Sequence, residues 1–230
     1  MIGVYDYTVI LTYLSLISAG LGIFVSLSGD GHPFLGVFFL LFCGLCDAFD
    51  GKVARTKKDR TQLEENYGIQ IDSLSDLMAF GALPACIGAA MLRLSPAIDS
   101  LKELLPGWGE RLLTALLFII LVLYILAALI RLAYFNVTEE ERKRTEGGVR
   151  KFYTGLPVTS AALVFPTVLL LQYLTVFDVT PVYFIALIAT GFAFLSKLSV
   201  RKPGLRGILI MVAIGAVEFA LMLILRAVGL

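Results

Sequence analysis

Seven apolar runs, most of them close to twenty residues long, leave this chain few ways to fold in water. A transmembrane helix needs roughly 20 mainly apolar residues to cross a hydrocarbon layer of roughly 30 Å. Runs of that kind lie near residues 7–27, 33–54, 68–92, 111–135, 155–176, 181–198 and 206–227. With 58% hydrophobic and only 16% charged residues among 230, the chain has too little polar surface to cover a water-soluble globule. The expected fold is an all-α, polytopic membrane helical bundle of about seven transmembrane helices, with six to eight compatible with the pattern. Residues 1–230 are expected to form one integral-membrane domain, since the sequence carries no tandem repeat, low-complexity tract or soluble module.

The placement of charge sets an expected orientation. Lys52, Arg55, Lys57, Lys58 and Arg60 follow the second run, Arg142, Lys143, Arg144, Arg150 and Lys151 the fourth, and Lys197, Arg201, Lys202 and Arg206 the sixth. The first and fifth connections carry no Lys or Arg, and the third is mixed, with Arg93 and Lys102 against Asp99 and Glu103. The positive-inside rule then puts the N-terminus and the three basic loops in the cytoplasm and the C-terminus outside. The first run lacks a basic leader and a convincing cleavage site, so it is expected to be a retained helix. A net charge of +1 gives no electrostatic footprint for nucleic acid, and no such partner is expected. Cys43 and Cys46 have C-x-x-C spacing, but within an apolar run they read as small packing residues, as does Cys86. His32 has no clustered ligands around it in the sequence and is given no role.

The chemistry begins where the second run should end. Asp47 and Asp50 are three residues apart, and Asp72 and Asp76 are four apart, so each pair lies on one face of its helix. Joined by a short polar linker, the two helices can face each other. Four carboxylates gathered at a membrane boundary repel one another unless cations neutralise them. Hard divalent ions suit such oxygens, and Mg²⁺ or Mn²⁺ can keep open positions for phosphate. Read without chemistry, the same acids are solvated residues at helix ends, with Asp72 favoured by the positive end of its helix. Gly51, Ala54 and Gly68 weigh against that reading, because they leave room beside the carboxylates.

Asp47-x-x-Asp50-Gly51-x-x-Ala54-Arg55 followed by Gly68-x-x-x-Asp72-x-x-x-Asp76 resembles the signature of the CDP-alcohol phosphotransferase family. One departure is a longer stretch, Thr56 to Tyr67, between the arginine and the second glycine; its charge places it in a cytoplasmic loop, where insertions cost little. The resemblance implies two divalent ions, Mg²⁺ or Mn²⁺, held by Asp47, Asp50, Asp72 and Asp76. It also implies that Asp76 takes the proton of the acceptor hydroxyl, and that Gly51, Ala54, Arg55 and Gly68 line the nucleotide site. A homodimer is common in the family.

The acceptor rests on neighbouring segments. Ala79-Phe80-Gly81, Arg131-Leu132-Ala133-Tyr134-Phe135-Asn136 and Gly155-Leu156-Pro157 are similar to segments of the family's phosphatidylserine synthase branch, from which Ala79 and Tyr134 depart. The family's first helix often opens with an asparagine, where this chain offers Thr12 and Ser15. The resemblance implies a CDP-diacylglycerol:serine O-phosphatidyltransferase of the cytoplasmic membrane, with CDP-diacylglycerol and L-serine as substrates, membrane lipids around it and its site facing the cytoplasm. Serine carries a carboxylate, and Arg131, Asn136, Arg150 and Lys151 are the candidates to hold it. Snorkelling of Arg131, and headgroup attraction for Arg150 and Lys151, are the plainer alternatives. Glu218, near the middle of the last run, needs a partner that the sequence does not name. Two other functions compete. One keeps the chemistry and takes glycerol phosphate or inositol phosphate, which would call for a phosphate-binding cluster near Asp76. The other is a cation transporter, whose acids belong near mid-membrane on repeated halves.

Overall fold

Helices dominate the structure, a computed structural model that describes residues 2–28, 33–145, 152–175, 177–201 and 205–227. They are α1 (Ile10–Leu27), α2 (Pro33–Ala54), α3 (Gln62–Asp76), a π-helical segment (Leu77–Ala82), α4 (Leu83–Met91), α5 (Pro96–Glu103), α6 (Gly107–Thr145), α7 (Ala161–Leu174), α8 (Thr180–Leu195) and α9 (Leu205–Ala227). Each of the seven expected runs is occupied by helix. Among the described residues, the stretches 10–27, 62–91, 107–142 and 206–225 are long and apolar enough to cross a membrane, while 158–172 and 180–195 are shorter apolar helices. The protein is an all-α integral membrane bundle.

The first two helices show why it packs. The buried face of α1 is built from Thr12, Ser15, Ser18, Ala19, Gly22 and Ser26, whereas Ile10, Leu14, Ile17, Leu21 and Phe24 point outward. That is the inside-out pattern of a helix in lipid, where small residues permit close approach and hydroxyls bond across the contact. A Cβ on Gly22 would lie 2.8 Å from the Phe39 Cβ, and Ser18 Oγ donates to the Phe39 carbonyl at 3.0 Å. The Cys43 thiol donates to the Ser15 carbonyl at 3.3 Å, and all three cysteines are free. Farther along, the Glu218 carboxyl in α9 meets the Thr167 hydroxyl of α7, the partner that the sequence left unnamed.

Two departures from the expected elements shape the site. The expected third span starts at Gly68, but α3 begins at Gln62. Thr61 caps it, its hydroxyl accepting from the Glu64 N–H while the Glu64 carboxylate accepts from the Thr61 N–H, a capping box that satisfies the first-turn donors. Half of the supposed cytoplasmic loop is therefore helix, and the connection from α2 is residues 55–61. The second departure is the π-helical segment directly after Asp76. Pro84 has no N–H to give the Phe80 carbonyl four residues back, and the Tyr124 hydroxyl of α6 donates to that carbonyl instead, at 2.7 Å. Buried Tyr183 of α8 does the same for the Pro84 carbonyl at 2.8 Å.

At 39 residues, α6 is ~58 Å long, well beyond a bilayer core of ~30 Å. Its C-terminal turns carry the ion pairs Arg142–Glu139 and Arg144–Glu140 and extend out of the apolar layer. Beyond it, Phe152–Thr154 (β1) pairs antiparallel with Ser199–Arg201 (β2), a small sheet that the apolar pattern did not announce. It fixes Gly155 at φ +82°, where an added Cβ would lie 2.6 Å from the Phe194 carbonyl oxygen.

Candidate active site

The end of α2 and the second half of α3 bring the acids together. Each of Asp47, Asp50 and Asp72 is half-buried, and one carboxylate oxygen from each lies within 4.8 Å of the others. Asp76, one turn deeper along α3, is buried and within Coulombic range of all three. Because the helices run in opposite directions from their connection, Asp50 and Asp72 are the shallow pair and Asp47 and Asp76 the deep one. Asp72 sits well inside α3, so the favourable helix-end position considered for it does not exist; the capping box moved that end to Gln62. Behind the acids stands α1, which packs on α2, α3 and the π-helical segment. Ser75, next to Asp76, donates to the Thr12 carbonyl at 3.1 Å, and the Ser15 hydroxyl is buried without a hydrogen-bond partner among the described residues.

Both glycines of the signature lie under an arginine. A Cβ on Gly51 would be 3.3 Å from Arg55 Nη1, and the Gly51 N–H donates to the Asp50 carboxylate. A Cβ on Gly68 would be 2.7 Å from Nη2 of Arg60, a residue that in the sequence stands out only as one of a basic cluster. Its position just before the capping Thr61 was the available signal, since the first turns of α3 lie within reach of a side chain there. Ala54, at the last turn of α2, is half-buried.

The acceptor candidates are distributed differently. Arg131 is only 6% exposed; its Nε donates to the Leu156 carbonyl at 3.2 Å, its Nη2 faces the Gly155 carbonyl at 3.5 Å, and its guanidinium lies 5.4 Å from the Phe135 ring centroid. Asn136 Nδ2 donates to Ser73 Oγ at 2.8 Å, tying α6 to the residue beside Asp72. Arg150 and Lys151 lie outside the described residues, as does His32.

A strap of N-terminal residues closes over the connection 55–61. Lys57 Nζ bridges Asp6 at 2.8 Å and Glu64 at 2.7 Å, and the hydroxyls of Tyr13 and Tyr67 are 2.9 Å apart. The hydrogen bond from Lys57, with that of Thr8 second, holds the Asp6 carboxyl down to about 2. Only partly buried, this pair orients the strap more than it stabilises the fold.

The donor set fits hard divalent cations. Three carboxylates that approach this closely in a poorly solvated place supply the anionic oxygens that Mg²⁺ or Mn²⁺ prefer, and among the described residues no cysteine or histidine joins the group.

Comparison with known proteins agrees with this chemistry. The CDP-alcohol phosphatidyltransferase family profile matches residues 8–217. The chain is 33% identical over 159 residues to a CDP-diacylglycerol–serine O-phosphatidyltransferase of Saccharomyces cerevisiae, covering 68% of this chain and 49% of that one. It is 34% identical over 152 residues to an archaetidylserine synthase of Methanothermobacter thermautotrophicus, with 65% and 53% covered. A CDP-diacylglycerol–serine O-phosphatidyltransferase of Mycobacterium leprae is 27% identical over 135 residues, with 58% and 37% covered. The match thus spans about half the length of these relatives or less. No solved structure matches significantly.

Proposed function

Because the chain belongs to the CDP-alcohol phosphatidyltransferase family, we propose that it transfers a phosphatidyl group from CDP-diacylglycerol to L-serine, releasing CMP. The observation that carries the reading is the convergence of Asp47, Asp50 and Asp72 within 4.8 Å, with Asp76 buried one turn deeper. The relatives named as serine or archaetidylserine enzymes support serine as the alcohol. The basic connections support a site facing the cytoplasm of the cytoplasmic membrane, and residues 1–230 act in this proposal as one domain.

Asp47, Asp50, Asp72 and Asp76 would hold the divalent ions, Mg²⁺ or Mn²⁺, which when bound neutralise charge on the donor's pyrophosphate. Gly51, Ala54 and Gly68 leave room for the nucleotide, and the Arg55 fork faces its phosphates. The Asp76 carboxylate accepts the proton of the serine hydroxyl. The freed oxygen bonds to the β-phosphorus, the bond from that phosphorus to the bridging oxygen breaks, and CMP leaves with the electron pair. The serine carboxylate is assigned to the side of the site formed by Arg131 and Asn136, with Arg150 and Lys151 as further candidates from the sequence alone. There Arg131 fixes the Gly155–Leu156 turn and Asn136 fixes Ser73.

The test is CMP release by purified protein. Asp76→Asn is expected to slow it about 10²- to 10⁴-fold with the melting temperature kept, and EDTA to stop it. Turnover near normal in either experiment would reject the mechanism.

A further inference from the structure

Arg60 lies in the connection between the two aspartate helices and is no part of the signature that gave the four acids their roles. We propose that it is a donor-binding residue whose guanidinium grips the pyrophosphate of the CDP-linked lipid, an inference that rests on the reading of this site as the CDP-lipid site.

Placement is the first argument. The guanidinium lies against Gly68, 2.7 Å from where a Cβ would stand. Gly68, Asp72 and Asp76 follow one another at four-residue intervals and share a face of α3, so Arg60 caps the stripe that carries the carboxylates, about 6 Å along the helix from Asp72. On the α2 side, Arg55 covers Gly51 in the same way, next to Asp50. Two planar forks therefore flank the acids, each over a glycine whose missing side chain opens the backbone.

Unused hydrogen-bonding capacity is the second. An arginine offers five N–H donors. Among the described residues the Arg60 fork makes one hydrogen bond, from Nη2 to the Glu64 carbonyl at 3.0 Å, and its Nε is buried with no partner. A buried N–H without an acceptor is costly and uncommon, and its presence beside a ligand site points to an acceptor that the ligand brings. The Glu64 carboxylate, on the residue whose carbonyl Arg60 does reach, is engaged with Lys57 and Thr61, and Asp6 with Lys57 and Thr8. Among the described residues no carboxylate forms an ion pair with Arg60, whereas Lys57 pairs with both Asp6 and Glu64.

The ligand class follows from these features. A planar fork with free donors beside a carboxylate cluster suits a group with several anionic oxygens, and a diphosphate presents them on both phosphorus atoms. Serine has a single carboxylate and needs its hydroxyl near Asp76, one turn farther from Arg60 than Asp72.

The test compares wild type with Arg60→Gln and Arg60→Lys. For each, the KM for CDP-diacylglycerol at saturating serine, the KM for serine, and the inhibition constants of CDP and of cytidine are measured, with the melting temperature alongside. Arg60→Gln is expected to raise the KM for the CDP-lipid and weaken CDP roughly tenfold, leaving cytidine inhibition and the KM for serine unchanged, with Arg60→Lys between the two. An unchanged KM for the CDP-lipid would overturn the proposal, as would equal weakening of CDP and cytidine, which marks a structural role. If Arg60→Gln does not fold, Arg60→Lys decides by the same comparison. A wild type that neither consumes CDP-diacylglycerol nor binds CDP would instead reject the donor site as a whole.

Discussion

Arg131 illustrates what one residue discloses in a sequence and what it keeps back. A charge in the apolar run 111–135 is expensive in a bilayer, so the sequence alone marks it as a residue with partners. The partners found, the carbonyls of Gly155 and Leu156, belong to a turn made by pairing segments more than forty residues apart, and no local pattern announces that pairing. With Arg131→Lys a point charge replaces the fork, and the turn it fixes loosens. The expected outcome is a KM for serine raised about tenfold, with the KM for CDP-diacylglycerol nearly unchanged. Paired substrate titrations check this, and equal losses toward both substrates would contradict it. The aspartates were legible for the opposite reason. Their spacing is helical and local, so Asp47 with Asp50 and Asp72 with Asp76 could be placed on helix faces before any tertiary contact was known. Arg60 was not legible as a site residue because its meaning lies in a contact with Gly68 that depends on where α3 begins.

The element running from α3 through the π-helical segment to α4 carries both the strongest and the weakest of the sequence expectations. Its apolar half was plain, but its start was misplaced. Thr61-x-x-Glu64 is a recognisable capping box, yet the mostly polar stretch 62–67 hides the helix start from hydropathy. The π-helical turns were hidden for another reason. Pro84 signals an interrupted hydrogen-bond ladder, but whether a helix bends, breaks or widens there depends on what replaces the lost bond. Here the replacement is the Tyr124 hydroxyl on the Phe80 carbonyl, from an element forty residues on. Tyr124→Phe removes that donor and leaves a buried carbonyl unsatisfied, which is expected to cost about 1–3 kcal/mol. A lowered melting temperature in the same detergent checks it, and an unchanged melting curve would show that the carbonyl is satisfied in another way.

For the whole molecule, composition and run length sufficed for an all-α membrane bundle, because in lipid every backbone polar group must be satisfied within a helix or a closed barrel. The lengths were less legible: α7 and α8 are shorter than a full crossing, and α6 is much longer than one, its charged C-terminal turns continuing the helix past the apolar run. Orientation is tested by placing single cysteines in a variant lacking Cys43, Cys46 and Cys86. A cysteine at Lys58 is expected to be protected from an impermeant thiol reagent in intact cells and one at Gly31 to be labelled; the reverse would put the carboxylates on the wrong face of the membrane. The central claim is the transfer of a phosphatidyl group to serine. Its most direct measurement incubates purified protein with CDP-diacylglycerol, Mg²⁺ or Mn²⁺ and a panel of serine, glycerol phosphate and inositol phosphate, and identifies the lipid formed by mass. Phosphatidylserine with stoichiometric CMP, from serine alone, is the predicted result; a product from glycerol phosphate or inositol phosphate instead, or none from any alcohol, would contradict it.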